Sequence, residues 1–468
     1  MRRVDSPWLP LLFSALLACD AERDGDPQSE PKDTDAADSA DDTAADSGQE
    51  VPVGATISHG PMVGGVSDTS AIVWARLEGA GSARVVYSAD PSFALAETTT
   101  TIAASEAADW TLQFPLTGLL PATLYSYRVE TGGEPRAGTF RTFPEPDQNV
   151  DFRFVVFADI ASALAAPAYE AAFNEDPAFL LQIGDFDHND PAAVGVGDEI
   201  DVENWRAMHR RCLGDGPHGQ DLATWILPSI PIFHMWDDHD YGANNAGGDA
   251  VYRDVATQAF LEYYPVGDRP NPGAGLWYSF RYGQVEVFML DLRSQRDPFD
   301  DATIPVKSVL VREPMEDDQL QWLERGLLAS TARWKVVVST SVWNPHSKTN
   351  DSWMNYPEEQ AEIVALVEDN NLPGVMVVSG DIHSGGALDD GENSWFPELS
   401  VPVTNFYSNA CTGECGTWSV GLNDPDGNRA GYGMLEFTYN PESKRHTAVL
   451  SAHNWEGRAL MEYAMVAE

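Results

Sequence analysis

Residues 179–188 read FLLQIGDFDH. Phe179 to Ile183 is an apolar run of strand length, and it stops at Gly184-Asp185-Phe186-Asp187-His188, a turn glycine followed by carboxylates and an imidazole. The pattern recurs along the chain. Phe152 to Phe157 (FRFVVF) runs into Asp159, Ile230 to His234 into Trp236-Asp237-Asp238-His239-Asp240, and Val375 to Val378 into Gly380-Asp381-Ile382-His383. Val285 to Leu290 and Trp334 to Ser339 are further apolar runs. Between them Pro167 to Phe173, Asp317 to Ser330 and Pro357 to Asp369 read as helices, with Leu320, Leu323 and Leu327 spaced to make one apolar face. Alternating strands and helices predict an α/β fold with a mainly parallel sheet. Open sheets of that kind bind ligands outside the carboxyl ends of their strands, which is where all four polar clusters fall.

Carboxylates and imidazoles brought to one sheet edge repel unless cations neutralise them. Mixed oxygen and nitrogen donors suit Fe, Mn, Zn or Ca rather than a thiolate site, so the sum points to a metal centre. Nucleophilic serine or cysteine chemistry lacks its residues: there is no G-x-S-x-G elbow, and Cys212 sits in a polar stretch, HRRCLGDG, with no evident base.

Upstream the pattern changes. Ala71 to Leu77, Arg84 to Tyr87, Leu124 to Val129 and Thr139 to Phe143 alternate with period two between Gly, Pro, Asp and Ser, which predicts an all-β module over 51–146 and places the α/β region at 147–468. At the start, Arg2 and Arg3 precede an apolar run from Trp8 to Ala18 that ends at Leu16-Leu17-Ala18-Cys19. The run is shorter than the roughly 20 residues a bilayer requires and reads as an export signal over 1–19. Its end is similar to a bacterial lipobox, which predicts Cys19 as the lipidation site of an exported lipoprotein, in the periplasm or at the cell surface; the alternative is a plain signal peptide with an incidental cysteine. Residues 20–50 hold twelve acids against Arg23 and Lys32 with almost nothing apolar, and read as a disordered acidic tether.

The 468 residues carry 28 Lys plus Arg against 73 Asp plus Glu, a formal net charge of −45. That balance argues against a nucleic-acid-binding face, leaves membrane contact to the lipid anchor, and requires cations to mediate binding of any anionic substrate. Four cysteines are too few for a disulfide scaffold. In an oxidising compartment the C-x3-C pair Cys411 and Cys415 predicts a disulfide between the two, or from one of them to Cys212.

The order Asp159, Gly184-Asp185-x-x-His188, Asp238-His239-Asp240 and Gly380-Asp381-x-His383 resembles the calcineurin-like metallophosphoesterases. WDDHDYGANN (236–245) with LDLRSQR (290–296) resembles the PhoD-like alkaline phosphatase branch specifically. The β-module is similar too: LLPATLYSYRV (119–129) resembles the tyrosine corner of fibronectin type III domains, which precede the phosphatase domain in that branch. The resemblance implies a four-layer α-β-β-α metallophosphoesterase sandwich behind a fibronectin type III-like domain. It also implies hydrolysis of phosphate monoesters, diesters or both by a metal-activated hydroxide.

By the same resemblance, Asp185 bridges two metals, Asp159 and His188 bind the first, Asp238 binds the second, and Asp381 and His383 complete the cluster. His239 orients substrate or protonates the leaving group with Asp240 as its hydrogen-bonding partner, and Asn244 and Arg293 stand near the phosphate. The branch's cofactors are iron and calcium. Here Asp159 replaces its usual cysteine and His188 its usual tyrosine, so Mn or Zn suits the site as well. The superfamily's fourth motif supplies a histidine after the strand matching Trp334 to Ser339; this chain has Thr340-Ser341-Val342-Trp343 there, with His346 beyond. Trp343, Trp353, Tyr356, Trp395 and Phe396 either wall a pocket for an organic leaving group or pack the core. Two rival readings are a phospholipase D-like phosphodiesterase acting on lipid or polymer and a non-catalytic surface lipoprotein with a structural metal site.

Overall fold

The computed structural model describes residues 54–188, 200–405, 415–423 and 431–467, within one compact unit spanning Gln49–Glu468. The export signal, Cys19, the acidic tether and Cys411 lie outside the described residues.

Two mixed sheets form the larger body. In the first, the strands Ile232–Met235, Leu180–Ile183 and Phe152–Phe157 lie parallel and adjacent, and Phe152–Phe157 then pairs antiparallel with Gly431–Asn440. Arg445–Asn454 and Ala459–Ala467 extend that edge as an antiparallel meander. In the second, Val285–Met289, Trp334–Ser339, Val375–Ser379 and Glu398–Ser400 run parallel, with antiparallel Tyr278–Tyr282 on one side and Ala387–Asp389 on the other. The expectation of a mainly parallel sheet is therefore corrected. The second sheet has a parallel centre and antiparallel flanks, whereas the first is parallel in one half and antiparallel in the other, where the last three strands follow one another through short turns that reverse direction.

Alternation along Trp334–Ser339 shows how the layers stack. Val336 and Val338 join the core shared with Phe154, Leu435 and Phe437 of the first sheet, and the Trp334 and Phe437 rings lie 6.2 Å apart. Val337 points the other way, with Leu323 and Leu327 of the helix Gln319–Ala329 and Ile363 and Val364 of the helix Pro357–Asp369. The first sheet carries the helix Ala168–Phe173, whose Tyr169 ring lies 4.6 Å from Phe157. All three helices expected from apolar spacing are present, and Val202–Arg210, Pro217–Trp225 and Arg253–Tyr263 add to them.

Residues 57–141 form separate small antiparallel sheets, one of Ile57–Gly64, Ser70–Leu77 and Thr111–Thr117, the other centred on Ser82–Ser88, Leu124–Glu130 and Arg136–Arg141. The Tyr125 hydroxyl accepts the Leu120 N–H at 2.9 Å, tying the loop to its strand. Trp74 Nε1 and Gln113 Nε2 donate to the carbonyls of Glu262 and Leu261, at 2.8 and 2.7 Å, and Arg206 grips Glu262 from the other side at 2.7 Å. This fastens the β region to the C-terminal end of the helix Arg253–Tyr263. No helix among the described residues is long and apolar enough to cross a membrane.

Candidate metal centre

Because Ile232–Met235, Leu180–Ile183 and Phe152–Phe157 are parallel neighbours, the residues that follow them come together at one edge of the first sheet. Val375–Ser379 of the facing sheet delivers Asp381 and His383 to the same place. The turns there are sharp: Asp159, Asp185, Asp381 and His383 all have left-handed backbones, with φ between 50° and 60°. Non-glycine residues avoid this region, and its concentration in four residues at three strand ends marks a site where side-chain placement overrides local preference. Gly184 is required by closeness as well as by its φ of 103°, since a Cβ there would meet Asp237 Cβ at 2.4 Å.

Two groups of ligand atoms result. Asp159, Asp185, His188 and His383 each offer one atom, and these atoms all lie within 4.8 Å of one another; Asp185, Asp238 and His239 form a second such group. Asp185 belongs to both. His188 Nδ1 is 3.2 Å from Asp185 Oδ2, and His383 Nε2 is 3.2 Å from Asp159 Oδ1. The His188 ring packs against His239 and His383 with centroids 4.2 and 4.8 Å away. Backbone N–H groups steady the carboxylates: His239 donates to Asp185 Oδ1 at 3.2 Å, Asn245 to Asp238 Oδ2 at 2.6 Å, and Asp381 to Asp159 Oδ2 at 3.2 Å.

The opposite oxygens, Asp185 Oδ2 and Asp238 Oδ1, are buried and accept no hydrogen bond. A buried carboxylate oxygen without a donor is costly, and a cation removes the cost. Oxygen and imidazole donors converging on two such oxygens fit a pair of divalent or trivalent ions sharing Asp185. Burial, together with the Asp238 charge beside it, pushes the Asp185 carboxyl up to about 6. Asp238 is held well below the usual range by Arg293, against its burial.

Beneath the cluster is a floor of charge. The Arg293 side chain is fully buried; its Nε and Nη2 bond both oxygens of Asp237, the latter at 2.7 Å, and its Nη1 reaches Asp351 at 3.0 Å. Arg296 Nη1 lies 2.5 Å from Asp351 Oδ1, and Nη2 donates to the Asn245 carbonyl at 2.7 Å.

Several expectations change in this light. Arg293 does not stand ready for a phosphate, because its donors are taken by Asp237 and Asp351; it positions Asp238 from below. Asp240 is not the partner of His239: its Oδ1 accepts from Phe186 N at 2.7 Å and its Oδ2 from Asp237 N at 3.0 Å, so it caps the short helix Asp238–Tyr241 and braces the 184–188 turn. Adjacent helical residues diverge, which sends His239 to the cluster and Asp240 away from it. Asn244 is exposed, and it is the next residue, Asn245, in a left-handed conformation at φ 62°, whose N–H reaches Asp238. Asp381 lies outside both ligand groups, with its Oδ2 2.5 Å from Lys348 Nζ. His346 is exposed, and the fourth loop instead brings in Lys348 and Asp351. Trp343, Trp353, Tyr356 and Phe396 are core residues, and Trp395 is exposed. Cys212 is free and buried, its thiol donating to the Phe186 carbonyl, so it is not the disulfide partner of Cys415, which is disulfide-bonded.

Two facing mixed sheets with an Asp/His cluster at their carboxyl edge, built around one shared aspartate, define a metallophosphoesterase. Residues 161–412 match the PhoD-like phosphatase family, and residues 42–144 match the N-terminal domain of PhoD-like phosphatases. The chain belongs to the PhoD-like phosphatase family. It is 28% identical over 311 residues to alkaline phosphatase D of Bacillus subtilis (strain 168), an overlap of 58% of this chain and 52% of that protein, so the chain spans about half the length of this curated relative. Among solved structures, that of PhoD superposes with a TM-score of 0.69 at 21% identity, covering 88% of this chain and 91% of the other. A purple acid phosphatase from yellow lupin (Lupinus luteus) seeds superposes with a TM-score of 0.56 at 13% identity, covering 88% and 74%. At these identities the two structures speak for the fold.

Proposed function

We propose that this chain is an exported, metal-dependent phosphoric ester hydrolase of the alkaline phosphatase type. The observation that carries the reading is Asp185, one buried carboxylate common to two groups of ligand atoms, with an oxygen that no hydrogen bond satisfies. Ions held there supply Lewis acidity: they neutralise phosphoryl oxygens and lower the pKa of water. The chain's own residues do the rest. Asp159, Asp185, His188 and His383 would hold one ion, and Asp185 and Asp238 would hold a second. His239, whose backbone is pinned to Asp185 and whose ring packs on His188, gives a proton to the departing alcohol. Mn, Zn, Fe and Ca all suit donors of this kind, and the replacement of thiolate and phenolate donors by Asp159 and His188 supports divalent ions.

Export rests on the signal pattern of residues 1–19, with Cys19 as the lipidated first residue of the mature protein. The acidic stretch 20–50 is then the spacer between lipid and enzyme, and the β region, read as a fibronectin type III-like domain, follows it in the sequence. Loss of lipid labelling in Cys19→Ala tests the anchor.

The test of the activity is turnover of a chromogenic phosphate monoester and of the matching diester, before and after chelation and with Mn, Zn, Fe or Ca restored. Chelator-sensitive turnover recovered by metal is the expected result. A folded protein inert with every metal would make the site structural and the chain a binding protein.

A further inference from the structure

Although the buried Arg296 Nε also lacks an acceptor, Lys348 is the one of Arg293, Arg296 and Lys348 that combines a spare donor with access to solvent. Its Nζ donates to the Asp381 carbonyl at 2.9 Å and to Asp381 Oδ2 at 2.5 Å. An ammonium has three donors, so one remains. Lys348 also differs from its neighbours in access: its side chain is 23% exposed, against 0% for Arg293 and 1% for Arg296. Only Lys348 of the three is placed to meet a ligand arriving from solvent.

The loop that carries it is braced. Trp353 Nε1 donates to Ser339 Oγ at 2.9 Å, Ser352 Oγ to the Lys348 carbonyl at 3.2 Å, and Trp343 N to the buried Glu398 Oε1 at 2.9 Å. Asp351, three residues on, is locked to Arg293 and Arg296. Asp381 in turn joins the ammonium to the cluster, since its N–H bonds Asp159 and its Oδ1 is 3.7 Å from His383 Nε2. A charged donor pre-positioned beside the ligand groups loses little entropy on binding an anion.

Building on the phosphoesterase reading above, we propose that Lys348 selects phosphate monoesters, its remaining N–H taking a terminal phosphoryl oxygen that a diester lacks. A monoester dianion has three terminal oxygens and a second negative charge above a pH of about 6, whereas a diester has two terminal oxygens and one charge. If the two ligand groups account for two oxygens, the third is the one an ammonium can claim. The seat for that oxygen is supplied by the chain and not by an ion.

The experiment compares the full, metal-loaded wild type with Lys348→Met, Lys348→Gln and Lys348→Arg. It measures kcat/KM for a nitrophenyl monoester and the corresponding bis-nitrophenyl diester, metal content, and calorimetric binding of inorganic phosphate. Losing a charge-assisted hydrogen bond lowers monoester kcat/KM about tenfold or more and weakens phosphate binding about tenfold, while diester turnover stays within about threefold. Metal content is unchanged and Lys348→Arg recovers part of the monoester preference. Equal losses on both esters, or undiminished phosphate binding, in a folded Met or Gln variant overturn the proposal. A wild type that turns over neither ester defeats the underlying phosphoesterase reading; wild-type turnover with an unchanged ester ratio in the variants defeats only the role of Lys348.

Discussion

Asp237 and Asp185 are both buried aspartates just beyond neighbouring parallel strands, yet one is clasped by Arg293 at both oxygens while the other has an oxygen that accepts no hydrogen bond. The contrast extends around each of them. On the floor, Asp237, Asp351, Arg293 and Arg296 neutralise one another within the chain. On the rim, Asp159, Asp185, Asp238 and three histidines converge, and the nearby guanidinium of Arg293 spends its short contacts on the floor. A buried carboxylate that brings its own cation is architecture. One that lacks it is a site waiting for a cation from solution. The adjacent floor is what makes the rim affordable, since it fixes the turn from which Asp238 projects.

Four substitutions separate rim from floor. Asp185→Asn is expected to lower kcat/KM on the order of 10³-fold, while leaving the thermal midpoint of the metal-free protein unchanged or slightly raised, because without ions it removes an uncompensated buried charge; kinetics with metal and calorimetry after chelation check the two halves. His239→Ala should cost about 10²-fold or more on esters of poor leaving alcohols and much less on nitrophenyl esters, which depart without a proton. A loss independent of leaving group, accompanied by loss of metal, would make His239 a ligand instead.

Arg293→Met belongs to the floor and should behave in the opposite way to Asp185→Asn. Stranding Asp237, with Asp351 left to Arg296 alone, costs about 3–5 kcal/mol, or roughly 5–10 °C in midpoint, with activity lost through unfolding. A stable but inactive Arg293→Met would place that guanidinium on the substrate and erase the distinction. The smallest effect concerns Glu398, which braces the Lys348 loop and whose carboxyl burial pushes up to about 7. Its folded pKa lies above its unfolded value, so its contribution to stability is full below about 4.5 and is lost as pH rises through 7. The midpoint of the wild type should therefore fall by a few degrees between pH 5 and 8, and Glu398→Gln should show less of that fall.

Much of the rim was legible in the chain. Short apolar runs ending in Asp159, Asp185, Asp238 and His383 locate strand ends, and adjacent parallel strands bring such ends together whatever the details of packing. The floor was less legible because its partners come from loops without periodicity: Asp351 and Lys348 are placed by Trp353 and by the arginines, contacts distant in sequence. Asp240 carried a readable signal that motif matching outweighed, since Asp237-x-x-Asp240 has the form of a reciprocal helix cap. The choice between Asn244 and Asn245 turns on a single left-handed residue and has no counterpart in composition. Of the three C-terminal strands Ala459–Ala467 and the first half of Arg445–Asn454 alternate inward and outward while the start of Gly431–Asn440 is buried throughout, and an expectation of parallel α/β units passes over all three.

The claim that Asp185 is shared by two ions is tested most directly by elemental analysis of the purified protein beside Asp185→Asn. The account requires two ions per wild-type chain and loss of both in the variant. Wild-type metal content in a folded Asp185→Asn protein would contradict it.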